Sequence, residues 1–148
     1  MVNGANVTLM NGLVLNGTAR LGSQTNNSSY AFLNFSGTQS LTGNGTVRFG
    51  HQSCNALRLQ DAATTLTIGP NILIHGHSGR IGDTTACFGG PVNVGVLNQG
   101  TIAADTGGGT IFLRGQSVTN LGSLQANAGN LIVSGLTGNI GTASVTAG

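Results

Sequence analysis

Apolar and polar residues alternate in short segments along the whole chain, and each segment follows a turn rich in Gly or Asn. Six segments fit one template, in which the second and fourth residues are apolar. They are TARL at 18–21, TVRF at 46–49, NILI at 71–74, TIAA at 101–104, SLQA at 123–126 and TASV at 142–145. Because successive side chains of a strand point to opposite faces, this pattern predicts six short β-strands that each bury one face.

The spacing of these segments predicts a repeat fold. Their first residues are separated by 28, 25, 30, 22 and 19 residues, which is typical of a solenoid. Most repeats carry two further short strands, as at residues 7–9 and 13–15; the fourth repeat lacks the earlier one, and we assign Phe88 to that place. Three strands per repeat predict an all-β fold: a three-sided parallel β-helix, or β-solenoid, of about six coils, each pairing with its neighbours.

We interpret residues 1–148 as a single β-solenoid segment. Its coils are expected at approximately residues 6–22, 30–50, 56–76, 88–105, 110–127 and 130–146. The inward positions of the recurring strands predict one apolar core column: Leu21, Val47, Phe49, Ile72, Ile74, Ile102, Leu124 and Val145. The outward first positions predict a ladder of hydroxyl groups: Thr18, Thr46, Thr101, Ser123 and Thr142. Such a ladder suits ice or crystal binding, but Thr also suits exposed strand positions in general, and both interpretations stay open.

Asn-Gly pairs mark the expected corners of the solenoid: Asn3-Gly4, Asn11-Gly12, Asn16-Gly17 and Asn44-Gly45. Their recurrence predicts corners at which the chain bends by adopting positive φ. The same pairs are also typical of two-residue β-hairpins. A β-sandwich built from hairpins therefore remains the alternative fold, and parallel pairing between equivalent strands is the feature that separates the two.

The composition narrows the function classes. Charged residues make up only 5% of the chain, with five Arg, three Asp and no Lys or Glu, against about a quarter in ordinary soluble domains. Five scattered Arg residues and one Tyr do not make a basic stripe, so we expect no nucleic-acid binding. No apolar run approaches the ~20 residues of a membrane helix, so we expect no membrane insertion.

The two cysteines, Cys54 and Cys87, fall in successive insertions at what we take to be one corner, after the recurring strand. Neighbouring coils lie about 4.8 Å apart, close to the Cα separation that a disulfide tolerates. We predict a Cys54–Cys87 disulfide, which suits an extracellular chain. The alternative is two unrelated thiols.

The sequence predicts no catalytic, cofactor or metal site. The histidines and one acid occur near each other but match no metal-binding spacing: His51, His75, His77 and Asp83. A β-helix hydrolase or lyase needs clustered acids. The only three acids do not occupy equivalent positions of the repeat: Asp61, Asp83 and Asp105. We therefore expect the chain not to be an enzyme and to need no cofactor.

Three segments within residues 41–135 resemble the repeats of large secreted bacterial β-helix proteins, namely autotransporter passenger domains and filamentous-haemagglutinin-like adhesins. They are LTGNGTV at 41–47, LTIGPNILIHG at 66–76 and VLNQGTIAAD at 96–105. The resemblance implies a right-handed parallel β-helix, export and a role at the cell surface. It transfers no catalytic residue, because these motifs are structural, and no secretion-domain signature accompanies them.

Three functions follow as hypotheses. The first is an extracellular structural or adhesive rod at the cell surface, whose partners would be surface glycans or the surface of a host or neighbouring cell. The second is a protomer of an extracellular filament, in which uncapped terminal coils stack end to end on another copy or on further coils of a longer chain. The third is a polysaccharide-acting enzyme, which would require two or more acids within reach of one another.

Overall fold

The computed structural model describes residues 4–147, and these form an all-β fold in which every paired strand runs parallel to its neighbour. The strands stack into a β-solenoid of about five turns. The predicted fold class is thus confirmed. The antiparallel pairing that a hairpin-based sandwich requires does not occur within the described residues.

Sixteen strands and one short helix make up the described chain. In chain order they are β1 (Gly4–Leu9), β2 (Leu13–Val14), β3 (Thr18–Leu21), β4 (Tyr30–Phe35), β5 (Gln39–Thr42), β6 (Thr46–Phe49), β7 (Ala56–Leu59), β8 (Thr65–Ile68), β9 (Leu73–Gly76), β10 (Gly79–Gly82), α1 (Thr85–Phe88), β11 (Gly95–Asn98), β12 (Thr101–Ala104), β13 (Thr110–Asn120), β14 (Ser123–Ala126), β15 (Asn130–Leu136) and β16 (Thr142–Val145). Their order repeats three positions per coil.

The three positions define three faces. The first face stacks β1, β4, β7, β10, β13 and β15, and the second stacks β2, β5, β8, β11 and the later part of β13. The long β13 bends from the first face onto the second, with a register shift between Arg114 and Val118, and so joins both faces into one ten-stranded sheet. The third face is a separate six-stranded sheet of β3, β6, β9, β12, β14 and β16.

The core column runs along the inside of the third face. Seven of the predicted members are buried: Leu21, Val47, Phe49, Ile72, Ile74, Ile102 and Leu124. Val145 is not, since its side chain is 84% exposed. It pairs in register with Ala126, on the outermost strand of this face, and no described strand packs beyond it. Val145 therefore occupies the next position of the column, but its side chain is not buried.

The third recurring strand begins two residues later than predicted. β9 starts at Leu73, which pairs with Thr46 on one side and Thr101 on the other. Asn71, the predicted first residue, lies at the corner instead, where its Nδ2 donates to Oδ1 of Asn44 at 2.9 Å. Asn71 therefore forms a side-chain amide bond across the corner and does not begin the strand. Leu73 occupies the position at which a hydroxyl residue was predicted.

The fourth coil begins at Gly79, not near residue 88 as predicted. β10 supplies its first strand and pairs with β7 and β13. A Cβ at position 79 would lie 2.6 Å from ring atoms of Phe49, so that ring fills the inward space and only Gly fits there. Phe88 does not occupy a strand position, because it ends α1 outside the sheet.

The corners use glycine in two ways. At Asn11-Gly12 both residues have the predicted positive φ, 67° and 84°. The pairs Asn16-Gly17 and Asn44-Gly45 do not adopt it, which corrects the prediction for those corners. At Gly45 the reason for Gly is contact, because a Cβ there would lie 2.4 Å from the carbonyl oxygen of Leu15 in the neighbouring coil. Asn3 lies outside the described residues.

Candidate functional site

Residues 83–94, here called the strap, leave the first face after β10 and fold back over its outer surface. This insertion lies at a different corner from the loop between β6 and β7, which carries Cys54. The prediction that both cysteines share one corner is therefore wrong. The pairing itself is present: Cys54 and Cys87 form a disulfide with their Cα atoms 5.7 Å apart.

A cluster of aromatic side chains packs the strap against the first face. The ring of Phe88 lies 4.5 Å from that of Phe32 and 5.6 Å from that of Tyr30, measured between centroids. Between Phe32 and Arg80 in the same outward rank lies Ala56, whose exposure is 0%. An outward side chain on a sheet surface is buried only when something covers it, and the strap is what lies there.

Three arginines, here called the arginine track, project from consecutive strands of the first face. They are Arg58 on β7, Arg80 on β10 and Arg114 on β13. Arg58 and Arg114 share one outward rank, with Gly82 between them. Since neighbouring strands lie about 4.8 Å apart, the track places one guanidinium per coil along the solenoid axis.

Aromatic rings hold the track in place. The Cζ atoms of Arg80 and Arg114 lie 4.6 and 4.7 Å from the ring centroid of Phe112, and Cζ of Arg58 lies 5.8 Å from that of Phe88. Guanidinium groups at these distances are attracted by the negative face of the ring. The three side chains are therefore positioned by contacts and do not sample solvent freely.

The positive charge of the track is not neutralised by the protein. Within residues 4–147 the one ion pair is His75–Asp105, which lies elsewhere. The Nε atoms of Arg58, Arg80 and Arg114 are buried and lack a hydrogen-bond partner. Burial, together with the charge of Arg114 and partly opposed by Asp83, lowers the pKa of Arg80. A buried N–H donor without an acceptor is rare in native proteins, and each one calls for an explanation.

A cavity of about 390 Å³ opens beside Arg114, and apolar as well as polar groups line it, Val92 among them. Its polar lining consists of Asp83, Asn93, Arg114, Gln116 and Ser134. The Asp83 carboxylate also accepts a hydrogen bond from the backbone N–H of Thr85 at 2.8 Å, which ties the cavity wall to the start of the strap. The cavity thus combines amide, hydroxyl and charged groups, an assortment suited to a hydroxyl-rich anion.

The predicted hydroxyl ladder is stacked on the third face but is interrupted. Thr46 and Thr101 are separated by Leu73, which pairs with both. The neighbouring outward rank is mixed in chemistry: Arg20, Arg48, His75, Ala103, Gln125 and Ser144. The flat, uniform hydroxyl array that ice or crystal binding needs is not formed.

The histidines divide into two separate arrangements. His51 and His77 stack with their ring centroids 4.1 Å apart, and burial followed by the proximity of His51 lowers the pKa of His77. His75 instead pairs through Nδ1 with Oδ2 of Asp105 at 2.7 Å. Asp83, which the sequence places near them, lines the cavity of the first face. In the described part of the chain, no three potential ligands are grouped so as to hold a metal ion.

The three acids occupy separate hydrogen-bonding environments. Asp61 accepts from the Ser36 hydroxyl at 3.0 Å and the Gly37 N–H at 2.8 Å, which stabilises a corner. Asp105 binds His75, and Asp83 accepts from the backbone N–H of Thr85. None of these carboxylates shares a hydrogen-bonding partner with another, so the bonds reveal no acid pair.

The arginine track was not predicted from the sequence. Its members looked scattered because Arg80 was placed in an insertion, whereas β10 puts it in register with Phe112. A usable signal was present in the alternation, since Arg58 stands between the inward Leu57 and Leu59 and Arg114 follows the inward Leu113. Recognising Gly79–Gly82 as a strand would have placed all three on one face.

No protein-family model, curated protein or solved structure matches the chain. Its resemblance to other proteins therefore remains at the level of fold, a β-solenoid of stacked coils. Within residues 4–147, no helix has the length and apolar character that crossing a bilayer requires.

Proposed function

We propose that the chain is a non-enzymatic extracellular rod that serves as a structural and adhesive element of a cell surface, in the manner of the secreted bacterial β-helix proteins its repeats resemble. The observation that carries this proposal is the Cys54–Cys87 disulfide, which fastens the strap across the first face. Disulfides persist mainly outside the reducing cytoplasm. The separate placement of the three acids supports a non-enzymatic role.

The test is to locate the protein in the cells that produce it and to determine its thiol state. We expect an antibody to label intact, unpermeabilised cells. Iodoacetamide should modify no cysteine until a reductant is added, and two afterwards, as read by mass spectrometry. Labelling that requires permeabilisation, together with two free thiols in freshly isolated protein, contradicts the proposal.

End-to-end assembly is a second candidate function. The outermost coils expose apolar side chains: Val7 is 54% exposed at one end and Val145 is 84% exposed at the other. The outermost strands, β1 to β3 and β15 to β16, also present unpaired edges. Open edges of parallel strands recruit further strands, which another copy or the remainder of a longer chain would provide.

Electron microscopy of the purified chain tests this assembly. We expect fibres of uniform width for the natural chain and short rods for Val145→Asp, because a buried carboxylate opposes stacking. Val92→Asp is the matched control, since Val92 is 61% exposed but lies on the strap at the side of the rod. If the natural chain forms only short rods at every protein concentration, the filament is excluded and the structural and adhesive rod remains the proposed function.

A further inference from the structure

We propose that the arginine track and the cavity beside it bind a linear polysaccharide that carries carboxylate or sulfate groups. This inference names the target of the adhesive surface and rests on the proposed adhesive function. The binding step can be measured on the purified chain, so its outcome does not depend on where the protein is located.

The first argument is local charge. The track carries three guanidinium groups, and the single carboxylate near it is Asp83. In a chain with only five Arg and three Asp, this concentrates more than half of the positive charge on one face. Guanidinium groups form short, paired hydrogen bonds with carboxylate and sulfate oxygens, which makes an anion the matching ligand.

The second argument is the direction of the track. Its three members come from three consecutive strands, so the charges follow the solenoid axis. Arg58 and Arg114 stand two strands apart, which corresponds to about 10 Å. A row of this length suits a chain molecule with repeated anionic groups better than it suits a single small anion.

The third argument is preorganisation. Phe112 holds Arg80 and Arg114, and Phe88 on the strap holds Arg58. Their Nε atoms are buried, while each arginine as a whole is only half-buried, so part of each side chain stays accessible to a ligand. Side chains fixed before binding lose little conformational entropy on contact with a ligand. This arrangement favours affinity over an ordinary set of mobile surface arginines.

The cavity supplies the contacts that a sugar needs besides charge. Its volume of about 390 Å³ falls within the range of about 300–1,000 Å³ for small-molecule sites. The amides of Asn93 and Gln116 and the hydroxyl of Ser134 can donate to or accept from sugar hydroxyls, and Asp83 can accept from them. These groups lie next to Arg114, at one end of the track.

The strap couples the disulfide to this surface. Cys87 precedes Phe88 directly, and a Cβ at Gly90 would lie 3.2 Å from an Nη atom of Arg58. The disulfide therefore holds the segment that flanks one end of the track. We expect reduction to weaken polysaccharide binding without abolishing it, because Arg80 and Arg114 are positioned by Phe112 alone.

The experiment measures binding of the purified chain to polygalacturonate, dextran sulfate, neutral dextran and single-stranded DNA at low and moderate salt. The test variant is Arg80→Gln with Arg114→Gln. The matched control is Arg20→Gln with Arg48→Gln, which removes the same charge from adjacent strands of the third face. We expect at least a tenfold weaker affinity for an acidic polysaccharide in the test variant and less than a twofold change in the control. Thermal unfolding of each variant establishes that it is folded.

Each possible result of this experiment either supports or overturns the proposed binding site. Preference for polygalacturonate identifies a carboxylate ligand, and preference for dextran sulfate identifies a sulfate ligand. Equal losses in both double variants reveal nonspecific charge attraction and overturn the site. Equal binding of neutral dextran, tighter binding of single-stranded DNA, or no binding of either acidic polymer overturns it as well. Binding by a protein found only inside cells retains the site and rejects the adhesive function.

Discussion

Single residues set how closely the coils approach one another. Gly79 faces inward on β10, and the ring of Phe49 from β6 occupies the space a side chain would take. Gly45 similarly admits the carbonyl of Leu15. Between the fourth and fifth coils, Asn98 and Asn120 are buried at a corner and bond to each other, Nδ2 to Oδ1, at 2.7 Å. These contacts fix the stacking more narrowly than apolar burial alone.

Replacement of Gly79 tests this contact. We expect Gly79→Ala to lower the free energy of unfolding by about 1–3 kcal/mol, because the added methyl overpacks against Phe49. Gly17→Ala is the control, since a Cβ there meets nothing within 4 Å. Urea unfolding measures both. A neutral Gly79→Ala would show that the ring moves aside at no cost.

The stacked histidines predict a dependence of stability on pH. The pKa of His77 is lowered below its ordinary 6.5 by burial and by His51. The unfolded chain therefore binds this proton at higher pH than the folded chain, so stability falls as pH drops through 6.5. We expect a lower free energy of unfolding at pH 5.5 than at pH 7.5.

The variant His77→Gln should weaken this dependence, whereas His75→Gln, in the separate pair with Asp105, should leave the His77 contribution in place. Denaturant unfolding at the two pH values is the measurement. An unchanged pH dependence in His77→Gln contradicts the assignment.

At the scale of elements, the sequence predicted most strands and failed where alternation is weakest. Five of the six recurring strands start at the predicted residue. β10 was missed because Gly79 and Gly82 are typical of turns and Ile81 is its only large apolar residue. The path of the strap was unpredictable from local pattern, since it depends on Phe88 packing against a distant coil. Because neither β10 nor the strap was predicted, the arginine track was not predicted either.

The disulfide that holds the strap makes a contribution to stability that can be measured. Cys54 and Cys87 are separated by 33 residues, and closing such a loop limits the unfolded chain. We expect Cys54→Ser with Cys87→Ser to lower the free energy of unfolding by roughly 3–4 kcal/mol. A reductant should destabilise the natural chain similarly and leave the double variant unchanged. Equal stability of the oxidised natural chain and the double variant contradicts this role.

For the whole molecule, parallel stacking explains both the low charge and the exposed ends. Each strand hydrogen-bonds to the coils on either side, so stability comes from repeated neighbour contacts and one continuous core. Asn, Thr, Ser and Gln provide most of the polar side chains that interact with water. Three of the five arginines lie together on the first face. The outermost coils lack one neighbour, which leaves Val7 and Val145 exposed.

The central claim is that equivalent strands of successive coils lie side by side and parallel. The most direct measurement is the network of nuclear Overhauser contacts around Ile74 in the purified chain. Parallel stacking predicts contacts from Ile74 to Val47 and to Ile102, its register partners on either side, with no contact between Val47 and Ile102. Contacts of Ile74 confined to a sequence-adjacent antiparallel strand, with neither of these partners, would contradict it.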